Sequence, residues 1–245
     1  MRTLLATALL AIGLNAQADT LSQLKNALQR LQAETPLRGQ VTLKSESRNN
    51  EGQDDAEVQP GLAQLSFEDG PQGLRLAYPQ ELLNKALGED HAKDKDPKAS
   101  TPTVNGLREL GYKEVRELAR PAELLSRQLA RATLKSEKTE TWQGKPAQLL
   151  SFELQQRRPD KYVKKYEGQL DVWVAADGTP LAARSTQKVS GRAMMVISFE
   201  MNSQDEWHFA VSGERLVVTR KLTTGSGSGA GEKGRQRREF ALQLS

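Results

Sequence analysis

Few residues in this chain have the makings of catalysis. It has two histidines and no cysteine, which excludes thiol catalysis and cysteine metal sites. His91 sits among charged residues, where a solvated imidazole is expected. His208 lies in Glu206-Trp207-His208-Phe209, and strand alternation places it opposite Trp207 and Phe209. A general base or metal ligand needs a convergent partner brought to it by the fold; on sequence alone His91 reads as a solvated side chain and His208 as a surface or sheet-face one. Carboxylates gather at Glu51, Asp54, Asp55 and Glu57, and again over Glu89–Asp96. Paired carboxylates hydrolyse glycosides only when held at a defined separation, and both groups read as solvated loops. Neither matches the calcium-loop pattern, and no phosphate-binding Gly-x-x-x-x-Gly-Lys-Ser/Thr stretch occurs. The chain therefore reads as a non-enzyme, with no catalytic residue, metal or cofactor expected.

Two basic clusters stand out. Arg157, Arg158, Lys161, Lys164 and Lys165 interleave with Tyr162 and Tyr166, and Lys233, Arg235, Arg237 and Arg238 follow later. They read either as solvated connections that discourage edge-to-edge pairing or as a docking surface. Anionic headgroups would gain about 1 kcal/mol per nearby basic residue, which allows peripheral membrane contact or an acidic protein partner. The formal net charge of +4 is too small an excess to indicate nucleic acid. An acidic glycan is compatible with it.

The elements that position these residues begin after an N-terminal leader. Met1–Arg2 is positive, Thr3–Leu14 is largely apolar, and Ala16-Gln17-Ala18 is a small-x-small cleavage site. This is the pattern of a secretory signal peptide over residues 1–18. Its apolar run is too short to span a bilayer. Export to the periplasm is expected, leaving a soluble single domain over 19–245. Without cysteine, no lipid-modified anchor after the leader is expected.

Leu21, Leu24, Leu28 and Leu31 recur at helical spacing, which predicts a helix over Thr20–Glu34 stopped by Pro36. Strands follow at Gly39–Ser47 and Leu62–Glu68, separated by a polar loop over Asn49–Pro60. Asp69-Gly70-Pro71 reads as a turn into a strand carrying Leu74, Leu76 and Tyr78. Pro79–Leu87 predicts a short helix. A mobile charged insertion is expected over about 88–103. Val104–Leu118 is weakly helical, and Pro121 opens a helix bearing Leu125 and Leu129.

From Trp142 onward the apolar period becomes two. Leu150, Phe152 and Leu154 share a face, as do Leu170, Val172 and Val174. Asp177-Gly178 predicts a hairpin. Further strands are expected at Met195–Met201, Trp207–Val211, Leu216–Leu222 and Arg238–Leu244. A flexible Gly/Ser loop is expected over about 224–234. Some strands are apolar on both sides, such as Trp173 between Val172 and Val174. Either both faces are covered, or one is a lipid or partner site.

The run Leu21–Leu31 into Leu37-Arg38-Gly39-Gln40-Val41-Thr42-Leu43, and the hairpin from Leu170 to Leu181 through Asp177-Gly178-Thr179-Pro180, resemble the periplasmic lipoprotein carriers and their sensor-domain relatives. That resemblance implies an α+β, mainly β fold: a large antiparallel meandering sheet curved into an incomplete barrel. It also implies an apolar cavity for acyl chains. With two or three helices on the concave face, the expected lining is Phe152, Val172, Val174, Ile197, Phe199 and Phe209. The expected function is binding of an apolar ligand, an acyl chain, lipid or lipoprotein, between sheet and helices. The alternative is an envelope protein-interaction or stress-sensor domain without lipid cargo.

Overall fold

The computed structural model describes residues 12–53, 56–156, 160–193 and 197–245, with side chains from Thr20 onward in the first helix. Met1–Ala11, most of the expected leader, lie outside the described residues. The chain starts with helix α1 (Ile12–Arg30), then strands β1 (Leu37–Asn49), β2 (Glu57–Gly70) and β3 (Gly73–Ala77). Four helices follow: α2 (Gln80–Lys95), α3 (Pro102–Glu109), α4 (Tyr112–Ala119) and α5 (Pro121–Leu129). A run of strands completes it: β4 (Ala132–Trp142), β5 (Lys145–Leu154), β6 (Val163–Val174), β7 (Pro180–Ala193), β8 (Ile197–Ser212), β9 (Arg215–Gly229) and β10 (Glu232–Leu244). No helix among the described residues is long and apolar enough to cross a membrane.

The ten strands form one open antiparallel sheet in the order β3-β2-β1-β10-β9-β8-β7-β6-β5-β4. The mainly β expectation therefore holds, with five helices among the described residues rather than two or three. One face of the sheet carries the core. Val41 and Leu43 of β1, Leu65 and Phe67 of β2, Leu150 and Phe152 of β5, Val172 of β6 and Phe240 of β10 pack there against Leu24 and Leu28 of α1, Leu118 of α4 and Leu125 of α5. These are the period-two and helical positions of the sequence, turned toward each other. On the opposite face Ala147, Trp173 and Ala182 make a small second cluster with Trp142.

Several boundaries differ from expectation. Helix α1 ends at Arg30 rather than Glu34, because Gln32 forms a β-bridge with Arg215 and the Leu216 N–H donates to the Leu31 carbonyl at 3.1 Å. The polar loop over Asn49–Pro60 shortens, since Arg48 pairs with Val58 and Asn49 with Glu57 in the β1–β2 ladder. Met195–Met201 and Trp207–Val211 belong to one strand as far as it is described, β8; Met194, Met195 and Val196 lie outside the described residues. The Gly/Ser loop is strand: β9 runs to Gly229 and turns at Ala230-Gly231 into β10. Strand β4 was not foreseen. Much of these stretches is polar, although Leu134 of β4 packs against the core. Backbone ladder bonds hold them, and such bonds leave no hydrophobic alternation to read.

The charged insertion also differs. Its first part continues α2 to Lys95. Glu89 explains this: its Oε2 accepts the N–H of Thr103 at 2.7 Å and of Val104 at 3.0 Å. These are unpaired donors at the start of α3, where a carboxylate is favoured. One side chain thus ties α2 to α3. Glu89→Ala is expected to cost about 1 kcal/mol, read as a lowered urea midpoint with unchanged slope. The weakly helical stretch Val104–Leu118 falls in two helices, α3 and α4, with a break at Leu110-Gly111.

Candidate functional site

The six expected lining residues share the helix-bearing face but divide into two groups. Phe152, Val172 and Val174 are 2%, 0% and 0% exposed and belong to the core closed by α1, α4 and α5. Phe209 packs partly buried against the same core. The protein's own side chains fill this space. Ile197 and Phe199 lie at the other end of β8, half-buried, beyond the helices.

That far end carries an apolar band the expectation did not include. The β6–β7 and β7–β8 registers align Tyr166, Val189 and Met201 in one cross-strand row. Met201 is 58% exposed. Phe199 sits in the next row, opposite Gly191 on one side and Gly229 on the other. Its ring lies over Gly191, where an added Cβ would come within 2.6 Å of it. On β9, Gly227 faces Met201. A Cβ there would meet nothing closer than the Glu200 carbonyl at 3.7 Å. The band thus has a bare glycine floor, a place where a ligand can approach the backbone. Tyr166 folds over Gly168 beside Leu154, which packs against the core. On the β8–β9 side a polar belt separates band from core, with the Thr223 hydroxyl donating to Asp205 at 2.6 Å.

A second constellation, also unforeseen, lies where β2, β9 and the α4–α5 junction meet. Asp69, expected in a turn, ends β2 with its carboxylate buried. Arg120 donates to it through Nε and Nη2, both at 2.8 Å. Arg215 donates through Nη2 to the same carboxylate, and also to the carbonyls of Thr35 at 2.7 Å and Ala119 at 3.2 Å. Burial alone would raise the Asp69 carboxyl, but hydrogen bonds from Arg120 and Arg215 outweigh it and hold it below its ordinary range. A pocket of about 290 Å³ beside it presents Arg116, Arg120 and Arg215 together with Glu34 and Glu123. With Asp69 behind them the cations are matched by carboxylates one for one. The cluster ties helices to sheet and leaves no charge in excess for a ligand.

The expected docking residues are described only in part. Arg157 and Arg158 lie outside the described residues. Lys161 stands 4.9 Å over the Tyr162 ring. Lys164 and Lys165 open β6, and Lys165 is bound to Glu167 at 2.7 Å. The later cluster divides by strand alternation: Arg235 and Arg237 face away from the helices, and Arg238 faces toward them with Phe240.

His91 is exposed on α2. His208 meets the Trp142 ring edge-on at 5.4 Å on the outer face. Burial, then the nearby Arg220, pushes it below its ordinary value. Of the acidic group, Glu51 is paired with Arg235 at 2.8 Å, while Asp54 and Asp55 lie outside the described residues. Among the described residues no group of three or more acidic or histidine side chains is placed to hold a metal. Comparison with protein-family models, curated proteins and solved structures finds no match to this chain.

Proposed function

We propose that this chain is a non-enzymatic periplasmic binding protein for an apolar chain, such as the acyl chain of a lipid or lipoprotein. In this reading the sheet is an incomplete barrel curled around its helices. Leu74 and Leu76 of β3 and Leu134 of β4 pack against one core, although nine strand spacings of about 4.8 Å would set these edges some 43 Å apart in a flat sheet.

The observation that carries the function is the half-exposed band of Tyr166, Val189, Ile197, Phe199 and Met201 over the Gly227 floor. Apolar surface gathered beyond the helices, with open space above a glycine, suits a flexible hydrocarbon chain. Met201 adds an adaptable wall. The ligand thus rests on the open continuation of the helix-bearing face. The filled interior around Val172 acts as the rigid support.

Titration with cis-parinaric acid, a fluorescent fatty acid, tests this. Saturable binding is expected to the wild type. Met201→Glu puts a charge on the band and Gly227→Leu fills its floor, so each should weaken binding about tenfold or more. Both positions are open, so the urea midpoint should stay where it was. No uptake by the wild type, or equal uptake by both variants, would overturn the reading.

A further inference from the structure

The opposite face of the same strands carries a trough of about 530 Å³. Its walls follow from register. One row across five strands runs Thr186, Gln204, Thr224, Arg237 and Glu46. The next row runs Lys188, Asn202, Ser226, Arg235 and Arg48. Every member is polar. Thr224 and Ser226, on the middle strand β9, are short side chains, flanked by amides on β8 and guanidinium groups on β10. That contrast in length makes the hollow.

Four strand spacings of about 4.8 Å separate β7 from β1, so the trough is about 19 Å long. Its lining sets the cations Arg48, Lys188, Arg235 and Arg237 against the carboxylates Glu46 and Glu51. The carboxylates engage Arg48 at 2.6 Å and Arg235 at 2.8 Å, but these pairs are exposed. Exposed pairs contribute at most about 1 kcal/mol, so a ligand carboxylate can exchange into them. Arg237 reaches Glu239 only at 3.4 Å.

We infer that this trough binds an acidic oligosaccharide, at a site separate from the apolar band behind it. Planar guanidinium groups match carboxylates in pairs. Asn202, Gln204, Thr186, Thr224 and Ser226 supply the neutral donors and acceptors that sugar hydroxyls need. No aromatic ring lines the trough, whereas single-stranded nucleic acid is held by stacking its bases on such rings. No apolar side chain lines it either, unlike a surface that enters a bilayer. The ligand runs across the strands, its acidic end groups over β10 and β1.

Calorimetric titration of the full chain with an oligogalacturonate of four to six sugars tests the inference. Binding is expected, weakening from low to physiological salt. The R235Q/R237Q double variant should lose about tenfold or more in affinity. Ser226→Tyr should also abolish binding, with charge unchanged, by filling the hollow. Lys161→Gln with Lys164→Gln should leave it intact. Arg235 and Arg237 are exposed, and circular dichroism will confirm that the variants fold. No binding by the wild type would overturn the inference. So would equal affinity in R235Q/R237Q, equal affinity for an uncharged cello-oligosaccharide, or preference for oligothymidylate or anionic vesicles. Parinaric acid binding should be unchanged in R235Q/R237Q, which separates this site from the apolar one.

Discussion

Asp69→Ala is expected to destabilise the fold by about 3–5 kcal/mol, the cost of leaving a buried charge without its partner. The Asp69 side chain is 0% exposed and that of Arg215 3%. Without the carboxylate, Arg215 keeps only backbone acceptors, chiefly the carbonyls of Thr35 and Ala119. Arg120 retains Glu34, but at 3.8 Å. Removing both buried charges is a different experiment. D69L/R215M replaces them with apolar side chains, and such exchanges are often neutral, so it should recover most of the loss in a urea melt. The pH dependence follows from the same geometry. Because the folded carboxyl is held below its unfolded value, its stabilisation is complete above an unfolded pKa of about 3.9 and is lost as pH falls through the lower folded value. The wild-type urea midpoint should therefore fall below about pH 4 more steeply than that of D69L/R215M.

Gly106→Ala is expected to cost about 2 kcal/mol or more, although alanine is the better helix former by about 1 kcal/mol. Helix α3 crosses β2 so closely that a Cβ at Gly106 would lie 2.3 Å from the Leu62 carbonyl carbon and 2.7 Å from its nitrogen. These are backbone atoms in a paired strand, so they cannot rotate aside. Helix and strand must part, and overpacking of this kind typically costs about 1–3 kcal/mol. The lost contact also loosens α3 from β2 beneath it. A thermal melt of Gly106→Ala beside Gly227→Leu would show the contrast. The larger residue at the open floor should leave the melting temperature nearly unchanged, and the smaller one at the crossing should lower it.

The contrast between those glycines marks how far the residues alone could be read. Where helices cover the sheet, the pattern was legible: Leu24 and Leu28 on α1, and Leu150, Phe152, Leu170 and Val172 on β5 and β6, all pack as their periodicity implies. Where the sheet is bare, it was not. Gly225, Gly227 and Gly229 recur at period two, the spacing of one strand face, but their composition reads as a linker. Asn202–Gln204 interrupts the apolar pattern of β8, so one strand looked like two. In these places hydrogen bonds to neighbouring strands hold the chain extended, and their partners are distant in sequence. Glu89 shows the same limit in a helix. Its charge was visible, but its role depends on two N–H groups that the fold brings to it.

The residue types by themselves determined that this is a mainly β chain with an amphipathic first helix, built without disulfides. Hydrophobic periodicity is a local property, and it needs only a core of some kind on one side. They also singled out Phe199 and Arg235 as residues worth watching. Only the tertiary structure decided that Val172 is sealed while Phe199 lies open, that Asp69 holds two arginines, and that Arg235 and Arg237 join side chains from four other strands in one trough. Each of these depends on which distant segments become neighbours. Strand register and helix placement settle that together, and neither is written in any single stretch of sequence.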